Sequence, residues 1–204
     1  MAGPGERVLS PSARPVGLVL APGAGADRDH STLVAIDDAL TAEGVSVARM
    51  DFPYRRSGRR APDKAPVLIE AVIAEAARLS AQAGVSPADV FLGGRSMGGR
   101  MCSLAVAGGL PCRGLVLISY PLHPPGRPER ERSDHFPALK VPCLFVSGTR
   151  DAFASPDELE AATATIAGPV THRWIEGKDH SLRRVDAEVA GLVRAWLIRR
   201  RPRG

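Results

Sequence analysis

The feature that most constrains this chain is a serine enclosed by glycines between a predicted strand and a predicted helix. Ser96 is the centre of residues 93–99, Gly-Gly-Arg-Ser-Met-Gly-Gly. The apolar run 90–92 precedes this segment, and the small, apolar stretch 97–107 leads out of it. A strand that turns so sharply into a helix needs small residues two positions before and after the apex, and Gly94 and Gly98 meet that need. Such a turn strains the serine backbone and raises the hydroxyl above the sheet.

Strand-like runs alternate with helical patterns along the rest of the chain, which predicts a mostly parallel central sheet. The predicted strands are residues 16–20, 45–50, 90–92, 114–119, 143–147 and 170–175. The predicted helices are one with Leu33, Ile36 and Leu40 on one face, then residues 65–83, 97–107, 156–166 and a last helix with its apolar stripe in 185–197. Residues 52–66 and 120–140 are predicted to be loops.

An acid and a histidine follow two later strands. Asp151 comes just after the predicted strand 143–147, and His180 lies in the loop after strand 170–175. Because the carboxyl ends of parallel strands converge on one crevice, we expect both side chains to lie near Ser96. His180 would then act as general base toward Ser96, and Asp151 would orient the imidazole.

The sequence alone leaves other interpretations of these three residues open. Ser96 is alternatively an inert turn serine, Asp151 a turn or helix-capping residue, and His180 a loop histidine. The other histidines are His30, His123, His135 and His172, and none of them follows the last strand.

If Ser96 attacks an acyl group, the oxyanion that forms needs hydrogen-bond donors. One is expected to be the backbone amide of Met97, directly after the nucleophile. The second is expected from the glycine-rich loop 21–26, whose small residues let the backbone turn an amide toward the substrate. Ala24 and Gly25 are the candidates, and their spacing does not decide between them.

Composition limits the class of protein. The 204 residues, with 44% hydrophobic and 24% charged content, suit one globular domain, which we place at 16–198, between a flexible N-terminus 1–15 and a basic tail 199–204. No apolar run is long enough to span a bilayer, and residues 1–15 do not resemble a secretory signal. Three cysteines without metal spacing indicate a reducing, cytoplasmic location and buried thiols. We expect no metal and no redox cofactor.

The net charge of +5 is concentrated in a few segments. The C-terminal arginines are expected to form a solvated helix end, and no nucleic-acid partner is expected because no nucleic-acid-binding motif accompanies them. Another cluster, within residues 55–60, is expected to pair partly with Asp51 and Asp63. Arginines expected near the crevice mouth, where they would favour anionic substrates, are Arg55, Arg56, Arg95, Arg100 and Arg127. Of these, Arg95 is expected to be neutralised by Asp51, and Arg100 by a neighbour on its helix.

A dinucleotide-binding unit is the rival motif. Gly23 and Gly25 follow a strand, and Asp51 ends the next one, but Arg28 stands where the third glycine belongs. The phosphate-loop lysine pattern is absent as well, so this interpretation is disfavoured.

The motifs together resemble the α/β-hydrolase superfamily. Within it, the chain is similar to a small dienelactone-hydrolase-like subfamily that includes bacterial predicted hydrolases, the testis-expressed-thirty protein and the third subunit of the NSL complex. The matching segments cover nearly the whole chain: residues 20–25, 93–100, 120–126, 148–151 and 177–181.

The resemblance implies a three-layer α/β-hydrolase fold with six or seven strands and a triad of Ser96, Asp151 and His180. Residues 120–140 are too short and proline-rich for a helical cap domain, so the site is expected to be open. The expected reaction is hydrolysis of a small ester or thioester through an acyl-enzyme. The alternatives are a non-catalytic interaction module on this fold and an acyltransferase.

Several loop residues after strand ends are candidates for substrate contact. The aromatic candidates either wall the pocket or anchor their loops. The candidate substrate-binding residues are Tyr54, Arg55, Tyr120, His123 and Phe153.

Overall fold

The computed structural model describes residues 14–202. Residues 1–13 and 203–204, which hold most of the predicted flexible N-terminus and the end of the basic tail, lie outside the described residues. The strands are β1 (Gly17–Ala21), β2 (Ser46–Arg49), β3 (Val90–Arg95), β4 (Gly114–Ile118), β5 (Cys143–Gly148) and β6 (Val170–Ile175). The helices are α1 (Ser31–Thr41), α2 (Pro53–Arg56), α3 (Ala65–Ala83), α4 (Met97–Ala107), α5 (Pro156–Thr163) and α6 (Asp186–Ile198).

The six strands form one sheet in the order β2-β1-β3-β4-β5-β6, and every neighbouring pair is parallel. The predicted strands and the alternating pattern are confirmed. A sheet expected to be mostly parallel, with six or seven strands, is six-stranded and parallel throughout the described residues.

Helices cover both faces of the sheet, because alternate side chains of each strand point to opposite sides. In β1, Leu18 and Leu20 pack toward α1 and α6, whereas Val19 and Ala21 pack toward α3 and α4. The buried continuous apolar runs of the central strands thus supply two hydrophobic layers and hold the strand ends in fixed positions.

The chain reverses its direction across the sheet between β1 and β3. After β1 it continues to β2 on one side, and it then returns to place β3 on the other side of β1. At such a switch point the loops after neighbouring strands diverge and leave a crevice. The glycine-rich loop after β1 and Ser96 after β3 flank this crevice.

Two predicted loops contain short helical turns. Residues 52–66 were expected to be irregular, but α2 forms there because Pro53 occupies its first position with a backbone angle suited to a helix. Residues 120–140 contain only the single 3₁₀ turns Pro128–Arg130 and Phe136–Ala138. No cap domain is present within residues 14–202.

The described part of the basic C-terminus packs against the domain instead of extending as a separate tail. The guanidinium carbon of Arg200 lies 4.2 Å from the centre of the Trp196 ring, and Arg201 donates to the Glu43 carbonyl oxygen at 2.8 Å. None of the described helices is long and apolar enough to cross a membrane.

Gly98 and Gly191 form a matched pair for testing the packing of α4 on β1, since both lie inside helices. A Cβ at Gly98 would lie 2.3 Å from the Ala21 carbonyl oxygen, whereas a Cβ at Gly191 would meet nothing within 4 Å. We expect Gly98→Ala to lower the free energy of unfolding by about 1–3 kcal/mol, because backbone must move. Gly191→Ala is expected to raise it by about 0.5–1 kcal/mol, because alanine loses less backbone entropy. Urea unfolding measures both, and an undiminished stability of Gly98→Ala would contradict this close packing.

Candidate active site

Ser96 lies at the sharp turn between β3 and α4. Its backbone has φ 50° and ψ −118°, in a region that non-glycine residues rarely adopt. The turn is held from both sides, since the Ser96 amide donates to the Ile118 carbonyl at 2.8 Å and the Ser96 carbonyl accepts from Arg100 at 3.1 Å. A Cβ on Gly94 or on Gly98 would come within 2.3 Å of the Ala21 carbonyl oxygen. The predicted need for glycine at both positions is therefore a consequence of the packing against β1.

Ser96, His180 and Asp151 form one hydrogen-bonded row. The Ser96 hydroxyl lies 2.9 Å from His180 Nε2, and His180 Nδ1 lies 2.8 Å from Asp151 Oδ2 and 3.0 Å from Oδ1. The Asp151 side chain is 1% exposed and that of His180 is 20% exposed. In the neutral tautomer that fits this row, Nδ1–H donates to the carboxylate and Nε2 accepts from the serine hydroxyl.

Neighbouring groups fix the His180 ring and the Asp151 carboxylate. The Phe153 ring stacks on His180 with the ring centres 3.9 Å apart. The Phe153 amide donates to Asp151 Oδ1 at 2.8 Å, and Arg95 donates to the His180 carbonyl at 2.7 Å. Burial lowers the pKa of Arg95, while the charge of Asp151 opposes that shift. Arg95 therefore holds the histidine loop, and the expected pairing with Asp51 is wrong, because the Asp51 carboxylate accepts from the Arg28 amide instead.

The two candidate amides for the second oxyanion donor differ in their surroundings. Gly25 donates to the Tyr54 hydroxyl at 3.4 Å, so its amide faces the protein interior. Ala24 lines the same cavity as Ser96 and Met97. Within residues 14–202, neither the Ala24 amide nor the Met97 amide meets a protein acceptor. The geometry thus favours Ala24 with Met97 over Gly25.

A cavity of about 450 Å³ opens above Ser96. Its lining combines Ser96 and His180 of the candidate triad with two residues of the loop after β1, three apolar side chains and three arginines. The lining residues are Gly23, Ala24, Arg95, Ser96, Met97, Arg100, Pro121, Arg132, Phe153 and His180.

Of the aromatic candidates for substrate contact, only Phe153 reaches the cavity. Tyr54 is fully buried and stacks with Phe52, and Tyr120 is 1% exposed and packs against Phe136. Both anchor their loops, the second of the two roles that their positions allowed. Their hydroxyls also anchor loops. The Tyr54 hydroxyl accepts from the Gly25 amide, and the Tyr120 hydroxyl donates to the Arg132 carbonyl at 2.8 Å.

The polar candidates His123 and Arg55 also lie away from this cavity. His123 and Glu158 line a separate cavity, in which His123 Nε2 lies 3.5 Å from Glu158 Oε2. Arg55 pairs with Asp27 at 3.2 Å, not with Asp51. The structure therefore does not bring these two side chains to Ser96.

The arginines that line the cavity differ from those expected near the crevice mouth. Arg95 and Arg100 line the cavity as expected, but Arg55, Arg56 and Arg127 do not. Arg132 lines it and was not predicted, because the loop 120–140 has no periodicity that fixes where its side chains point. The helix neighbour expected to neutralise Arg100 is not found among the described residues.

A partly buried polar pair lies near Arg100. His135 Nε2 is 2.8 Å from the Ser103 hydroxyl, and the His135 ring packs on Phe136 with the ring centres 5.1 Å apart. Burial, with the positive charge of Arg100, lowers the pKa of His135 to about 4.

The three cysteines fit the predicted role of buried thiols. Cys102 and Cys143 are buried, Cys112 is half-buried, and none is in a disulfide. Burial raises the pKa of Cys112 and of Cys143 to about 12, so their thiols stay protonated at neutral pH. Residues 14–202 contain no cluster of metal-ligating side chains.

Comparison with known proteins agrees with this architecture. A model of the family described as alpha/beta hydrolase domain matches residues 14–193. Dienelactone hydrolase from Anabaena variabilis is 17% identical, with a TM-score of 0.74 over 93% of this chain and 88% of that one. Est1E from Butyrivibrio proteoclasticus is 16% identical, with a TM-score of 0.73 over 93% and 89%. An alpha-beta serine hydrolase homologue from Coxiella burnetii is 17% identical, with a TM-score of 0.69 over 90% and 84%.

At these identities the similarity to solved structures is one of fold. The predicted three-layer α/β-hydrolase fold is confirmed, as is the absence of a cap domain within the described residues.

The lowered pKa of His135 predicts that the folded protein is sensitive to acid. Because its folded pKa lies below the usual 6.5, the unfolded chain binds a proton that the folded one rejects, so stability is lost as pH falls from about 6.5 toward 4. Because His135 is only partly buried and solvent screens its charge, we expect the wild type to lose about 1 kcal/mol more unfolding free energy than His135→Gln between pH 7 and pH 5. Urea unfolding at both pH values checks this, and parallel losses in the two proteins would contradict it.

Proposed function

Because the chain belongs to the alpha/beta hydrolase domain family, we propose that it is a serine hydrolase acting on an ester or thioester of a small acyl group through an acyl-enzyme. The observation that carries the proposal is the row of hydrogen bonds from Ser96 through His180 to Asp151. Its order along the chain, serine then aspartate then histidine, is that of hydrolases with this fold.

In the proposed reaction His180 Nε2 takes the Ser96 proton as the serine oxygen attacks the acyl carbon. The distance of 2.9 Å between these two atoms supports direct proton transfer. Asp151 keeps its charge and stabilises the imidazolium that forms, and its low exposure strengthens that attraction. The proton then passes from Nε2 to the leaving group.

The oxyanion of the tetrahedral intermediate is proposed to accept from the amides of Met97 and Ala24. Both residues line the cavity beside Ser96. Backbone donors fixed by the packing of α4 and the β1 loop need no reorganisation as the charge develops, which is why such donors lower the barrier. In the second half of the cycle, water activated by His180 releases the acyl group from Ser96.

Substitution of the triad tests the proposal with p-nitrophenyl acetate. We expect Ser96→Ala to reduce kcat/KM by about 10⁴–10⁶-fold, and Asp151→Asn to reduce it by about 10³–10⁴-fold, since the amide no longer stabilises the imidazolium. The matched control is Asp179→Asn, whose carboxylate lies beside His180 in sequence but accepts from Ser181. It is expected to keep turnover close to wild type.

The same assay detects the acyl-enzyme as an initial burst of p-nitrophenolate that matches the enzyme concentration. Wild-type turnover in Ser96→Ala would overturn the nucleophile assignment. A wild-type protein without burst or turnover on short esters and thioesters would favour a non-catalytic role for this fold.

Acyl-chain length provides a second prediction. Without a cap domain over the cavity, the outer part of a long acyl chain stays in water and gains little of the ~0.8 kcal/mol that each buried methylene contributes. We expect kcat/KM for p-nitrophenyl esters to be highest for two to four carbons and to fall beyond that length. A steady rise from acetyl to palmitoyl, measured below the critical micelle concentration, would contradict the proposed short-chain preference.

A further inference from the structure

The cavity above Ser96 carries an excess of positive charge. Three arginines, Arg95, Arg100 and Arg132, line it, and no aspartate or glutamate lines it. Elsewhere on the domain, partly buried arginines meet carboxylates: Arg49 pairs with Asp29 and Asp37.

Arg95 is already engaged by the protein. Arg95 donates to the His180 carbonyl at 2.7 Å, and the negative charge of Asp151 lies close enough to raise the pKa of Arg95. Arg95 holds the loop that carries His180. Its positive charge acts on the cavity, but its guanidinium group is not free to bind a ligand.

Arg100 and Arg132 are in a different situation. Within residues 14–202 neither is within 4.0 Å of a carboxylate oxygen. The Arg100 Nε atom is buried and has no hydrogen-bond partner among the described residues. The charge of Arg100 acts directly on Arg132, whose pKa is lowered by burial and then by that charge. Both arginines line the cavity that holds Ser96, so two positive charges without a carboxylate partner lie in one wall.

Arg132 is held in place from its own loop. Its carbonyl accepts from the buried Tyr120 hydroxyl at 2.8 Å, and its Nη1 donates to the Pro121 carbonyl at 3.4 Å. A long hydrogen bond to one carbonyl leaves most guanidinium donors of Arg132 unused. The loop 120–140 therefore positions a cation without neutralising it.

We propose that Arg100 and Arg132 form a subsite for an anionic oxygen group, carboxylate or phosphate, on the substrate of the serine hydrolase proposed above. Guanidinium groups bind such oxygens through charge-assisted, bidentate hydrogen bonds. An anion between the two arginines replaces their mutual repulsion with two attractions, and its partial burial strengthens both.

The position of Arg100 limits the spacing within that substrate. It lies four residues after Ser96 on α4, about one helical turn or ~5.4 Å along the axis. Side chains on a helix lean toward its N-terminus, so the Arg100 side chain leans back toward the turn. The anionic group is therefore separated from the reacting carbonyl by a short linker of a few bonds.

A matched pair of esters tests the subsite: mono-p-nitrophenyl succinate and p-nitrophenyl butyrate have acyl chains of the same length, and only the first ends in a carboxylate. We expect wild-type kcat/KM to be at least about 10-fold higher for the succinate, because charged hydrogen bonds are involved. Arg100→Gln and Arg132→Gln are each expected to lower the ratio of the two kcat/KM values about 10-fold. The preference is also expected to fade as sodium chloride is raised.

Arg127→Gln is the matched control, since it removes one positive charge from the same loop but from an exposed residue outside the cavity. It is expected to keep the wild-type ratio. A wild-type ratio near one at low salt, or a ratio that falls equally in all three variants, would overturn the subsite.

Calorimetric titration of Ser96→Ala with succinate or with inorganic phosphate keeps the test independent of turnover. Saturable binding of either anion supports the subsite if Arg100→Gln weakens that binding about 10-fold. This holds even if neither ester is hydrolysed. Binding without hydrolysis would reject the proposed hydrolase activity but not the subsite. Turnover of the butyrate ester with no binding of either anion rejects the subsite and leaves the hydrolase activity standing. The relative affinities of succinate and phosphate identify which anionic group the subsite prefers.

Discussion

The contact between α4 and the end of β1 is the constraint on which the candidate active site depends. Only glycine fits at positions 94 and 98, because the Ala21 carbonyl oxygen lies where any Cβ would stand. This close approach lets β3 turn directly into α4 and keeps Ser96 at its positive φ. It also brings the β1 loop against the start of α4, so Ala24 and Met97 line the same cavity. One packing contact thereby sets both the proposed nucleophile and its proposed oxyanion donors.

The remaining members of the site are supplied by the opposite half of the sheet. Asp151 follows β5 and His180 follows β6, and the two meet Ser96 although His180 lies 84 residues from it in sequence. Parallel strands make this possible, because their carboxyl ends share one edge of the sheet. Smaller contacts then define the ring position of the histidine: the stacked Phe153 and the Arg95 guanidinium on its carbonyl. The strands provide the approximate placement, and these side chains refine it.

Sequence patterns predicted the parts of this structure that depend on local or repeated signals. Apolar runs gave the six strands, and glycine spacing gave the turn at Ser96. The outward or inward direction of loop side chains was not predictable in the same way. Tyr54 and Tyr120 follow strand ends but turn into the core, where their rings pack against Phe52 and Phe136. Arg132 reaches the cavity through a hydrogen bond from Tyr120 to its backbone, a long-range contact with no trace in the local sequence.

The most direct measurement is covalent labelling with a fluorophosphonate, followed by peptide mapping by mass spectrometry. Such a reagent reacts with a serine whose hydroxyl is activated by an adjacent base and held near oxyanion donors. We expect one adduct per chain, located on Ser96, with a rate of labelling that drops sharply in His180→Gln. No adduct, or an adduct on another serine while Ser96 stays unmodified, would contradict the proposal that Ser96 is an activated nucleophile.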